Sequence, residues 1–117
     1  MSSYYIAYPG FENHSLALPG KKTIKVGIFT GKRDGQRYVN GRYGQSTLHT
    51  CSYMPFSFET MKKIERRVLH ELQATYGYRR QHGKKEHFII RATISERKKF
   101  VERVKELYRI CSAIYLK

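Results

Sequence analysis

Apolar and polar positions along this chain recur in patterns that mark out strands and helices in turn. Residues 4–8 (YYIAY) are aromatic and suited to a strand, and Pro9-Gly10 closes them. Residues 11–22 read as a polar connection punctuated by Gly and Pro, ending in Lys21 and Lys22. Residues 23–30 (TIKVGIFT) give a strand pattern with Gly27 inside it, and an interior glycine marks a bulge or a close approach by another group. Asp34 is placed to cap a short helix over residues 36–40, with Gly41 to end it. Residues 47–53 (TLHTCSY) resemble a third strand. A long helix follows from its cap at Ser57, covering residues 58–76 and ending at Gly77. Residues 78–85 (YRRQHGKK) form a basic loop, and residues 87–93 (HFIIRAT) a short strand. Ser95 caps a last helix that lines Val101, Val104, Leu107, Cys111 and Ile114 along one face.

The predicted order is therefore β-β-α-β-α-β-α. That order describes an α+β fold, a small mainly antiparallel sheet flanked by helices. Residues 1–93 make the core, and residues 94–117 add a covering helix to the same domain. There are no internal repeats and no low-complexity tracts.

One position breaks the pattern of the long helix. Glu65 shares a spacing of three or four with Met61, Val68 and Leu72, so it points into the apolar stripe. Lys62, Lys63, Arg66 and Arg67 flank it. A carboxylate facing a core needs a partner, which is an arginine, a lysine or a divalent metal.

Composition narrows the class of partner. The 117 residues carry 23 Lys plus Arg against nine acidic residues, a formal net charge of +14. So large an excess repels itself in a compact fold and points to a polyanion, nucleic acid before an anionic membrane surface. No apolar run approaches the roughly 18 residues of a membrane span. The opening MSSYYIAYPG has neither the basic start nor the apolar core of a signal peptide. Cys51 and Cys111 form no metal or redox motif and read as small core residues of a cytoplasmic, intracellular protein.

Tyr4, Lys25-Val26-Gly27, Arg37 and Glu65 fall in order on a first strand, a second strand, a short helix and a long helix. In order, type and placement they resemble the GIY-YIG nuclease superfamily. Ser2-Ser3-Tyr4-Tyr5-Ile6 occupies the first motif, with Tyr4 matching the family tyrosine and Tyr5 beside it. Lys25-Val26-Gly27 occupies the second, with lysine in place of tyrosine. That K-[IV]-G form resembles a compact branch found in phage, bacterial and some eukaryotic proteins. Glu65…Leu69-His70 and Glu86-His87-Phe88 are similar to that branch's glutamate helix and later acidic-aromatic strand. The resemblance spans roughly residues 3–90. The first motif has lost its glycine and isoleucine, and the first loop is longer than usual.

The resemblance implies a metal-dependent DNA endonuclease in which Glu65 holds one Mg²⁺ or Mn²⁺ ion. It further implies Tyr4 as the general base, Lys25 as the neighbour favouring its phenolate, and Arg37 as the grip on the scissile phosphate. Arg33 and Arg42 are alternatives to Arg37, because the glycines of residues 31–44 blur the register. Glu65 paired with Arg37 as a buried ion bridge is the rival to metal binding. His14, His49, His70, His82 and His87 show no zinc-ligand spacing. His49 is the accessory candidate among them, and His70 the candidate for a phosphate contact. Lys21, Lys22, Lys32, Arg33, Arg66, Arg79, Arg80, Lys84 and Lys85 are the candidate DNA-tracking cations. A non-cleaving nucleic-acid-binding module on the same fold and a small RNA-binding protein are the alternatives. Cutting both strands of a duplex takes a dimer or two sequential nicks, and no sequence feature marks a dimer face.

Overall fold

The structure, a computed structural model, describes residues 1–9, 20–81, 83 and 86–116. Most of the connection over residues 11–22, together with His14, His82, Lys84 and Lys85, lies outside the described residues.

Five strands form one antiparallel sheet: β1 (Ser2–Tyr8), β2 (Lys21–Thr30), β3 (Thr47–Met54), β4 (Arg79–Arg80) and β5 (His87–Arg91). Their spatial order is β3-β1-β2-β5-β4. Helix α1 (Gly35–Tyr43) lies between β2 and β3 in the chain, α2 (Phe58–Ala74) between β3 and β4, and α3 (Ile94–Ser112) follows β5. A short 3-10 turn, Ala113–Tyr115, comes after α3. The fold is α+β, with one strand more than the sequence pattern predicts: β4 occupies part of the expected basic loop. Arg79 pairs there with Ile89 and Arg80 with Phe88.

Alternation along the strands divides two cores between the faces of the sheet. Tyr4, Ile6, Ile24, Val26, Phe88 and Ile90 face α2 and α3, where they meet Met61, Ile64, Val68, Leu72, Phe100, Val104 and Tyr108. Tyr5, Ala7 and Phe29 turn to the other face and pack with Val39 of α1. The sheet is thus a middle layer between a helix pair and a single short helix.

Several boundaries differ from the sequence reading for local reasons. Lys21 and Lys22 are the first residues of β2 rather than the end of a loop, paired across to Arg91 and Ile90 with their side chains exposed. Helix α1 starts at Gly35, runs through Gly41 and stops at Gly44, whose φ of 76° suits glycine. Asp34 does cap it, accepting from the amides of Gln36 and Arg37. Ser57 caps α2 as expected, but the helix ends at Ala74, and the Tyr78 amide turns back to the Leu72 carbonyl. Thr93, not Ser95, caps α3. On α3 the apolar face uses Phe100 and Tyr108, whereas Ile114 is exposed. Cys51 and Cys111 are both free thiols. No helix among the described residues is long and apolar enough to cross a membrane.

Candidate active site

The sheet has a gap at its centre. β5 pairs only with Lys21–Lys25 of β2, and the bond from the Val26 amide to the Glu86 carbonyl (3.0 Å) is the last across that boundary. From Gly27 onward the β2 edge faces no strand on that side among the described residues. Helix α1 stands over one face of this edge and the first half of α2 over the other, and a cleft of about 770 Å³ opens between them.

At one end of the cleft Lys25 is almost fully buried and ion-paired with Glu86. Glu65 reaches the same place from α2 and is only 7% exposed. Burial, then the charge of Glu86, push its carboxyl up to about 8, with Lys25 pulling in the opposite direction. Its Oε2 is buried and has no hydrogen-bond partner among the described residues, while Glu86 lies within hydrogen-bonding reach of the carboxyl group. The partner required of a core-facing acid is therefore a second carboxylate with a shared lysine. It is not Arg37, whose side chain is exposed on α1.

The unpartnered Glu65 Oε2 and the adjoining Glu86 carboxylate are hard oxygen donors of the kind Mg²⁺ or Mn²⁺ takes. Such ions leave their remaining positions to water and phosphate oxygens. Among the described residues no cluster of three or more His, Cys, Asp or Glu builds an all-protein cage. Glu65 and Glu86 could therefore hold such an ion only together with other oxygen donors.

The two adjacent tyrosines separate across the sheet. Tyr5 lines the cleft on the same face as Lys25, its Cα opposite Gly27. Tyr4 points the other way and stacks on Tyr108 of α3, with ring centroids 3.8 Å apart and planes within 4°. Of the two tyrosines, Tyr5 and not the expected Tyr4 lines the cleft. Strand geometry leaves no intermediate, since neighbouring side chains point to opposite faces. The Tyr5 and Tyr43 hydroxyls share a hydrogen bond of 2.9 Å. Burial and that bond hold the Tyr5 hydroxyl far above the ordinary tyrosine range.

Gly27 is required by this arrangement. A Cβ there would lie 2.4 Å from both Cζ and the hydroxyl of Tyr5. The ring cannot swing away easily, because Phe29 and Tyr38 pack against it at 5.9 and 5.6 Å. Gly27→Ala is expected to cost about 1–3 kcal/mol in chemical denaturation and to break the Tyr5–Tyr43 bond. An unchanged denaturation midpoint would show that the ring has somewhere else to go.

Among the arginines, Arg33 and Arg42 line the cleft and Arg37 does not. Tyr38 and Arg42 are four residues apart on α1 and share its inward face, which leaves Arg37 pointing out. Tyr43 also bonds the Arg42 guanidinium and helps to keep it charged. Lys62 and Arg66 of α2 and Arg80 of β4 complete the basic lining.

The other candidates lie outside the cleft. His49 sits against the start of α3, meets the Tyr8 ring edge-on at 4.8 Å and is held below the usual histidine range by burial. His70 is exposed on α2. Lys21, Lys22 and Arg79 are exposed strand residues, and Lys32 lies 5.8 Å over the Tyr53 ring. Glu86, Tyr43 and Phe58 belong to the cleft although the sequence reading gave them no role in the site. Glu86 had a signal: it is the one acid in Lys84-Lys85-Glu86-His87, directly before a strand.

No family model, no curated protein and no solved structure matches this chain.

Proposed function

We propose that this chain is a metal-dependent phosphodiesterase acting on nucleic acid, a small DNA endonuclease of GIY-YIG type. The observation that carries the reading is the meeting of Glu65, Glu86 and Lys25 in a cleft that Tyr5 and several arginines also line. Glu65 and Glu86 would hold Mg²⁺ or Mn²⁺, which when bound supplies Lewis-acid stabilisation of phosphoryl charge. Arg33 and Arg42, whose planar forks suit phosphate, take the role the resemblance gave to Arg37. Lys25 places an ammonium beside the two carboxylates and offsets part of their charge before substrate arrives. Tyr5 takes the position given to Tyr4, with its hydroxyl directed at the Tyr43–Arg42 pair. An intracellular setting belongs to the same proposal, in keeping with two free thiols and a polyanionic partner.

One observation favours a second reading. The Tyr5 hydroxyl, buried and bonded to Tyr43, is firmly protonated, which suits a module that grips nucleic acid without cutting it. A plasmid assay separates the two. Supercoiled DNA is incubated with the protein and Mn²⁺ or Mg²⁺, and in parallel with EDTA. Nicking that EDTA abolishes is the expected result. Tight, salt-sensitive binding with no nicking in either metal leaves only the binding module.

A further inference from the structure

The cations around the cleft resemble Arg97 and Arg103 of α3, which lie over the rings of Tyr8, Tyr76 and Tyr78, and differ from the ion-paired cations of the helices. On the outer surfaces of α2 and α3, Arg67 pairs with Glu71, Lys99 with Glu96, Lys105 with Glu102 and Arg109 with Glu106. Arg33, Arg42, Lys62 and Arg66 have no carboxylate partner among the described residues. Three of them lie over aromatic rings instead. Arg33 sits 5.9 Å from the Phe29 centroid and 5.8 Å from that of Tyr38. Arg42 lies 5.6 Å from Tyr38 and 5.7 Å from Tyr43, and Lys62 lies 5.0 Å from Phe58. Unneutralised charge and π-faces therefore alternate along both walls.

Phe58 has no structural explanation. It is only partly buried, lines the cleft from the first turn of α2, and belongs to neither apolar core. A protein that binds duplex DNA through its phosphates needs cations and gains nothing from a recessed ring. Bases in a duplex are stacked on one another and cannot reach a ring set between two helices. An unpaired strand can, because its bases are free to leave the stack and lie on aromatic or guanidinium planes. The volume of about 770 Å³ is that of a pocket for a small molecule, which suits a short stretch of single strand rather than a double helix.

We propose that the cleft takes an unpaired polynucleotide strand, with Phe58 as a base-stacking platform and Arg33, Arg42, Lys62 and Arg66 as the phosphate contacts. This deepens the nuclease reading and rests on it for the identity of the polyanion. The test is binding without cleavage: fluorescence anisotropy in EDTA with labelled oligothymidine, oligouridine and a duplex of equal length, at matched salt. The expected result is that one or both single strands bind at least about tenfold more tightly than the duplex. Phe58→Ala should weaken single-strand binding about tenfold, Phe58→Trp should restore it, and duplex binding should not move. Thermal melts of both variants check that the fold is retained. Equal or tighter duplex binding, or single-strand binding indifferent to Phe58→Ala, overturns the proposal. Metal-dependent nicking would then still stand by itself, whereas failure to bind any of the three probes removes both readings.

Discussion

Replacing Glu65 with glutamine is expected to abolish metal-dependent nicking and, in the same protein, to raise stability at alkaline pH. The two effects have opposite signs because the wild-type carboxylate is costly in the folded state without a cation. Its folded-state value of about 8 lies above the ordinary 4.5. Below pH 4.5 the group is neutral in both folded and unfolded chains, and its contribution to stability is fully present. As pH rises towards 8 the unfolded chain ionises and the folded one resists, so stability falls by at most about 1.4 kcal/mol per pH unit. Above pH 8 both forms are ionised and the loss levels off. Glutamine has no proton to lose, so the stability difference between Glu65→Gln and wild type should grow from pH 5 to pH 8 and then flatten. Urea denaturation at a series of pH values in EDTA measures it. Adding Mn²⁺ at pH 8 or above should recover stability in the wild type and not in the variant. Nicking by the variant should fall about a hundredfold or more, the scale on which electrostatic stabilisation of a transition state acts. A flat stability difference across the pH range would mean that Glu65 is ionised at neutral pH and not shielded as its burial implies.

The second large effect separates two neighbouring tyrosines. Tyr5→Phe is expected to reduce nicking by about a hundredfold, the lower range for loss of a group that handles a proton in the reaction. Tyr4→Phe should leave the rate within a few-fold of wild type. Tyr4 has its ring stacked on Tyr108 in the core, and the substitution removes a hydroxyl while keeping that ring. Its effect belongs in the melting temperature rather than in the rate. The reverse outcome, with Tyr4→Phe inactive and Tyr5→Phe active, would mean that β1 presents its other face to the cleft, and the register of the sheet would be wrong.

If Tyr5 acts on a proton in the proposed reaction, its surroundings set a further condition. Its hydroxyl is bonded to Tyr43 and that hydroxyl to Arg42. Burial is the main cause that keeps Tyr5 protonated and the Arg42 charge opposes it, so a phosphate that draws Arg42 away would make the proton harder to lose. Activity in the variants should therefore be read with substrate saturating, so that the contact to Arg42 is made in every case.

How much of this was legible in the chain depends on the range of the interaction involved. Helix α2 and the inward direction of Glu65 follow from residues three and four apart, and the structure places that side chain among Met61, Ile64, Val68 and Leu72. The strand pattern over residues 23–30 and the caps at Asp34 and Ser57 are equally local, and each is present. Gly27 was legible as a point of close approach, although not what approaches it. Arg37 and Tyr4 fall outside the cleft lining for the same reason. A shift of a single residue turns a strand side chain through the sheet, and it turns a helix side chain by 100°. Composition constrains neither shift.

By itself, then, the sequence determined an α+β chain with an acid in an apolar helix stripe and a net charge of +14. The tertiary structure alone decided which groups meet that acid. Lys25 and Glu86 are 61 residues apart, and they pair because β5 runs beside only the first half of β2. The cleft exists because that pairing stops, and Tyr5 rather than Tyr4 enters it because pairing of β1 with β2 sets one face of the strand towards α1. Periodicity is written in neighbouring residues; the choice of face and the end of a strand pair are fixed by packing between distant ones.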